Sequence, residues 1–308
     1  MAAPRPLISI GMPVRNARST LELAVRSIRQ QTCRDWELLL IDDGSTDDTA
    51  RLARRLAESD PRIRVSADGR RLGLPGRLNQ AIAEGRGAFF ARMDGDDVSY
   101  PDRLRRQLGY LDAHPEVDLV GAYAVVFRPD GEAIGRRAGG EHHEAICARP
   151  HAGVGIMHPS FFGRLAFFRR FGYRPSAHRC EDQDLLLRAI RRDRTGRGAR
   201  YANVPEILIG YREGDLVLRK LLASRLYLAR SLLVENGKQG RPFSAARGVV
   251  EQSLKAAVDA VAIVSGLDYR LLRHRALPMD AAERTGWSRV WSALHAEAPI
   301  LEAAGRAG

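Results

Sequence analysis

Two periodicities alternate between Leu7 and Phe127. Short runs at Leu7–Met12, Trp36–Ile41, Ile63–Ser66 and Ala88–Met93 are rich in β-formers and too short for helices. Between them apolar positions fall on helical stripes such as Leu21, Ala24, Val25 and Ile28, and Ser19 with Glu22 predicts a capping box ahead of that stripe. A βαβαβαβ order joined by crossover helices predicts an α/β fold with a parallel sheet. In such sheets ligands bind beyond the carboxyl ends of the strands. The residues there are polar: Pro13-Val14-Arg15-Asn16, Asp42-Asp43-Gly44-Ser45 and Asp94-Gly95-Asp96-Asp97. Pro101 opens a helix carrying Leu104, Leu108 and Leu111 on one face, and Val117–Phe127 resumes as strand. From about 130 to 212 the pattern is irregular, with a helix starting near Glu181. Beyond Asp215 two helices are expected, Leu216–Val234 and Ser244–Val264, the second with Val250, Leu254, Ala257, Val261 and Val264 on one side. The pattern divides the chain into 1–214, itself split as 1–115 and 116–214, and a helical segment, 215–308.

Composition narrows the classes. Of 308 residues 44% are hydrophobic and 28% charged, which excludes a disordered or collagen-like chain. No apolar run reaches the roughly 18 residues of a membrane span. The best stretch, Ala256–Leu267, is interrupted by Asp259. An apolar strand within a few residues of the start leaves no room for a leader, so a cytoplasmic protein is expected, free or peripheral on the inner face of the membrane. Cys33, Cys147 and Cys180 fit neither a disulfide framework nor a zinc site. The net charge of +12 is spread over both segments, and all but three of the 49 basic residues are arginine. That distribution argues against nucleic acid and is compatible with an anionic small molecule or lipid surface.

Three clusters carry chemistry. Asp94, Asp96 and Asp97 cannot all ionise cheaply at close range unless a cation compensates them, and carboxylates with substrate phosphates suit Mg²⁺ or Mn²⁺. The same residues also read as a solvated turn before the Pro101 helix. Asp42-Asp43-Gly44-Ser45 is either ordinary strand-to-helix punctuation or a carboxylate that accepts a base N–H. Glu181-Asp182 opens a helix, either as a complement to its dipole or as a general base in a cleft. His142, His143 and Glu144 complete no metal-ligand spacing. Neither a dinucleotide fingerprint nor a Walker loop is present.

Together, Pro13–Asn16, "IDDGSTDDT" from Ile41, "GRLNQAIAEGRGAFFARMDGDD" from Gly76, "HPSFF" from His158 and "EDQDLLLRA" from Glu181 resemble the family 2 inverting glycosyltransferases over roughly residues 5–212. The resemblance implies a GT-A type fold with a mixed, mainly parallel sheet. It makes 1–214 a catalytic domain with a nucleotide-binding half (1–115) and an acceptor half (116–214). It implies a nucleotide-sugar donor, most often a UDP-sugar, held by Asp43, Pro13, Asn16, Arg77, Asn79 and Asp94, with a metal on Asp96. Asp182 is the implied base for the acceptor hydroxyl, and Glu181 and His158 shape the acceptor side. The implied acceptor is a glycan, a lipid-linked molecule or a small molecule, in polysaccharide or cell-envelope synthesis. One departure stands out: Gly214 follows Tyr211-Arg212-Glu213 where the family often places a histidine. A sugar nucleotidyltransferase and a catalytically silent nucleotide- or glycan-binding protein are the competing readings. The helices beyond Asp215, with Arg270, Arg273, His274 and Arg275 nearby, are expected to pack on the catalytic domain or a second subunit, or to lie on an anionic membrane.

Overall fold

The computed structural model describes residues 5–177, 179–191, 196–214, 217–267 and 276–296. Strands β1 (Ile8–Val14), β2 (Trp36–Asp42), β3 (Ile63–Ser66) and β4 (Phe89–Arg92) run parallel in the order β3-β2-β1-β4. Every residue of β1, β2 and β4 is buried, because helices cover both faces of the sheet. Ile8, Ile10 and Met12 pack with α1 (Leu21–Arg29), α2 (Thr49–Glu58) and α4 (Arg103–Ala113). Leu39, Ile41 and Phe90 point the other way, to α3 (Gly73–Glu84), α6 (Leu165–Phe171) and α7 (Glu181–Ala189). The strand period of two thus feeds two cores from one sheet.

Past β4 the sheet becomes mixed. β8 (Phe162–Arg164) lies antiparallel to β4, and β6 (Leu119–Phe127) antiparallel to β8. β9 (Tyr201–Arg212) runs parallel to β6, and the two-residue β5 (Val98–Ser99) lies antiparallel against β9. β7 (Ala133–Arg137) pairs with the distal part of β6, and a short α5 (His143–Ile146) follows it.

Two local expectations are corrected. The Ser19–Glu22 capping box does not form: α1 starts at Leu21, Thr20 occupies the cap, and Glu22 pairs with Arg26 at 3.2 Å. The Thr20 hydroxyl instead donates to the Gly95 carbonyl at 2.8 Å, drawn away by the acidic turn. Pro13 lies within β1, opposite Ile41, rather than in a loop after it. Gly11 accepts from Met93 on the β4 side and Val14 accepts from Asp43 on the β2 side. Alternation therefore turns Pro13 toward β4, whose pairing has already ended at Gly11, so no ladder bond needs its missing N–H.

The segment after residue 214 behaves in two ways. α8 (Leu218–Lys238) and α9 (Pro242–Val264, with Pro242 in its first turn) form a hairpin, and α8 packs on α7. The last helix, α10 (Ala281–Ala296), returns to the sheet. Trp287 and Trp291 sit 4.7 and 5.4 Å from Phe127 of β6, and Trp287 donates to the Gly131 carbonyl at 2.8 Å. Gly131 has φ +93°, and a Cβ there would lie 2.2 Å from Trp291, so both backbone and space require glycine. Arg270, Arg273, His274 and Arg275 lie outside the described residues.

Candidate active site

The acidic turn Asp94–Asp97 links β4 to β5 and is fixed at both ends by the sheet. Its Gly95 is packed so closely that a Cβ would come within 2.7 Å of Val14. Asp94, Asp96 and Asp97 each offer an oxygen within 4.8 Å of the others. Asp97 is buried; one oxygen accepts from the Arg212 amide at 2.9 Å, whereas Oδ2 is buried without a partner. Burial and the charges of Asp94 and Asp96 hold the Asp97 pKa well above the carboxylate range. Crowded surroundings and the Asp94 charge raise that of Asp96 to about 6, although its side chain reaches solvent. Like charges at this spacing, with an orphaned oxygen among them, fit a hard divalent cation.

Arg92 meets this turn from below. It is buried, and its Nη2 reaches Asp94 Oδ1 at 2.5 Å. Its main-chain carbonyl accepts from buried Arg103, which also donates to the Pro159 carbonyl at 3.1 Å and so ties the end of β4 to the His158 turn. Neither arginine stood out in the sequence. Their only signal is position: each interrupts an apolar face, Arg92 on a buried strand and Arg103 on a buried helical side.

The opposite wall is α7, whose first turn carries Glu181 and Asp182. Burial, then the Asp182 charge, raises the Glu181 pKa to about 7, and Glu181 Oε2 is buried without a partner. Burial also raises the pKa of Asp182, against the opposing Gln183 amide and Arg92 charge. Gln183 is pinned by reciprocal bonds with Val154 at 2.8 and 3.0 Å, which fixes the helix start. His158 Nε2 lies 3.0 Å from the Tyr173 phenol, and burial keeps this imidazole neutral by lowering its pKa well below normal. Beside this wall is a cavity of about 400 Å³, lined in part by Arg137, Gly139, Gly153, Met157 and Asn203.

The nucleotide-side residues divide. Asn16, in the left-handed region at φ 48°, accepts from the Thr46 amide at 2.9 Å, while its own amide donates to Ser45, clasping the β1 and β2 loops together. Asp43 Oδ1 accepts from the Leu72 and Gly73 amides at 2.6 and 3.0 Å and from Arg77 Nε at 3.2 Å, while Oδ2 receives only the longer Gly73 arm, at 3.1 Å. Arg77 is fully buried and its five N–H donors are committed to Asp43, Asp68, Gln80 and the Arg70 carbonyl. Arg77, expected near the base or phosphates, stands behind Asp43 and holds it. Asn79 is likewise bound to both main-chain groups of Tyr173, at 2.7 and 2.8 Å, and bridges α3 to the His158 partner.

The parallel half of the sheet ends in an acidic turn that faces a carboxylate-bearing helix across the mixed half. The family model for glycosyl transferase family 2 matches residues 9–172, and the chain belongs to that family. It is 33% identical over 212 residues to the putative glycosyltransferase EpsE of Bacillus subtilis, covering 68% of this chain and 73% of that one. In fold it is similar to S. aureus TarS 1–349 in complex with UDP-GlcNAc (TM-score 0.60, 14% identity, 94% of this chain and 80% of that one). It is also similar to the mannosyltransferase PcManGT of Pyrobaculum calidifontis in complex with GDP-Man and Mn²⁺ (TM-score 0.56, 21% identity, 95% and 86%). Both the GT-A type fold and the family membership expected from the sequence hold.

Proposed function

We propose that this glycosyltransferase moves a sugar from a UDP-sugar to an acceptor hydroxyl in one inverting displacement, with Asp182 as general base and a divalent cation held at Asp96 with Asp94 and Asp97. The observation that carries the reading is the convergence, around buried Arg92, of the acidic turn and the Glu181–Asp182 pair: Arg92 contacts Asp94 directly and acts electrostatically on both acids of α7. Asp43, fixed by the start of α3 and by Arg77, keeps Oδ2 for the N–H of the base, and Asn16 shapes the loop beside it. Asp182 takes the acceptor proton as the hydroxyl oxygen bonds to the anomeric carbon, while the bond from that carbon to the diphosphate oxygen breaks. Mg²⁺ or Mn²⁺, when bound, supplies positive charge to the departing diphosphate. Glu181 and His158, the latter neutral against Tyr173, border the acceptor. PcManGT in complex with GDP-Man and Mn²⁺, and TarS in complex with UDP-GlcNAc, support a nucleotide-sugar donor.

The test is calorimetry of UDP binding with Mn²⁺, with chelator, and for Asp96→Ala. Metal-dependent binding that disappears in the variant is the expected result. Binding that ignores both metal and variant would overturn the metal assignment, and no binding of UDP at all would overturn the uridine donor.

A further inference from the structure

The hairpin of α8 and α9 carries a surface that the transferase chemistry does not use. On α9, Phe243, Val250, Leu254, Val258, Val261 and Val264 are all exposed, from 58% at Val250 to 90% at Phe243. From Val250 onward they recur every three to four residues, with Phe243 two turns earlier, whereas Ala245, Gly248, Gln252 and Asp259 face inward. The stripe is therefore one continuous face, about 30 Å long at 1.5 Å per residue. On α8, Leu222, Leu226 and Leu233 are exposed as well, at helical spacing. No helix among the described residues is long and apolar enough to cross a membrane.

Charge identifies the occupant. The exposed charged residues of the hairpin and its connecting turn are all basic: Arg219, Lys220, Arg230, Lys238, Arg241 and Arg247. Of its three acids, Glu235 and Asp259 are buried and paired with Lys238 at 3.0 Å and Arg225 at 3.1 Å, and half-buried Glu251 is paired with Lys255 at 2.5 Å. Arg247 lies on the apolar stripe itself, four residues from Phe243, and Arg230 falls between Leu226 and Leu233. A second copy would bring like charges together, whereas an anionic bilayer accepts the apolar face while long basic side chains reach its headgroups.

We propose that the α8–α9 hairpin lies flat on an anionic lipid surface, its α9 stripe buried at the headgroup level. The inference goes beyond the transferase reading and stands without it. If both hold, they have a joint consequence. α8 packs on the segment leading into the Glu181–Asp182 turn, with Ser224 donating to the Arg179 carbonyl at 3.0 Å, so docking would bring the acceptor side of the site close to the bilayer.

The experiment is flotation of the full chain with vesicles of phosphatidylcholine alone or with about one third phosphatidylglycerol, at low and high salt. The proposal expects at least a ~10-fold preference for the anionic vesicles, weakened by salt, and lost in Leu254→Glu/Val261→Glu. These positions are exposed, so melting temperature and UDP binding should not change. Wild-type protein that does not prefer anionic vesicles overturns the proposal, whatever the variant does. Binding that survives the double substitution also overturns it. So does a wild-type dimer, seen by light scattering, that becomes monomeric in the variant while neither protein floats, which would make a second copy the occupant. UDP binding in the same samples reports separately on the donor site.

Discussion

Arg92 Nη2 sits 2.5 Å from Asp94 Oδ1, the buried end of an ion pair whose other end opens on the acidic turn. Two more nitrogens of the same guanidinium, Nε and Nη1, are buried without partners. A cation so placed balances acids on both walls of the site, with Glu181 and Asp182 on one side and Asp94 and Asp97 on the other. Arg92→Met should cost about 3–5 kcal/mol, because it leaves buried carboxylates uncompensated, and urea denaturation would measure it. Arg92→Lys should recover part of that stability and little of the activity, since an ammonium lacks the planar fork. Full activity in the lysine variant would show that charge alone suffices.

For Asp182→Asn, the expectation is a fall in transfer of about 10²–10⁴-fold, the usual worth of a positioned general base. UDP affinity should stay at the wild-type value. Progress curves beside calorimetry separate the two, and retained transfer would remove Asp182 from that role.

Glu181 links stability to pH. Its folded pKa of about 7 lies above its ordinary value of 4.5, so the native state holds a proton that the unfolded chain releases first. Stability is therefore greatest below pH 4.5 as far as this group is concerned, and is lost as pH rises toward 7, by roughly 2–3 kcal/mol. Glu181→Gln should melt several degrees above wild type at pH 8 in metal-free buffer and match it near pH 4.5. Equal melting at both values would mean that the carboxyl is not desolvated as the fold indicates.

Metal binding should follow Asp96. With a pKa of about 6, its carboxylate competes with protons for the cation. Mn²⁺-dependent UDP affinity should fall as pH drops through 6, whereas any UDP binding measured with chelator should not follow that titration. Titrations at pH 5.5, 6.5 and 7.5 test this directly.

The parallel half of the fold was legible because its strands are buried on both faces and its helices carry clean stripes. Apolar period and strand-end polarity are local properties that survive in a linear reading and mark the clusters 42–45 and 94–97, whereas singling out Asp43, Asp96 and Asp182 rested on the resemblance to the family. Arg77 and Asn79 were marked as well, but their partners are Asp68 and the main chain of Tyr173, and a linear reading cannot tell a side chain that meets a ligand from one that holds its neighbour. Arg103 and Tyr173 act through residues far away in the chain, and Arg92 joins its neighbour Asp94 to the distant Glu181 and Asp182; the strand pairing that brings them together is mixed rather than repeating. The Thr20 hydroxyl shows the same limit on a small scale: its partner is Gly95, 75 positions on.

The clamp of Trp287 and Trp291 has a consequence for how the protein is made. β5, which ends the acidic turn, rests its Val98 in one core with Trp287, and Arg26 of the first helix donates to the Leu294 carbonyl, 268 positions later. Domains fold during synthesis from the N-terminal side, so the nucleotide-binding strands leave the ribosome long before the helix that backs their acidic edge. Until α10 emerges, Phe127 and Val98 have no cover, and the turn that carries Asp94, Asp96 and Asp97 lacks its outer support. The nascent chain should therefore complete the proposed cation site only once α10 has emerged, which would keep a half-made enzyme from capturing donor before its acceptor wall exists.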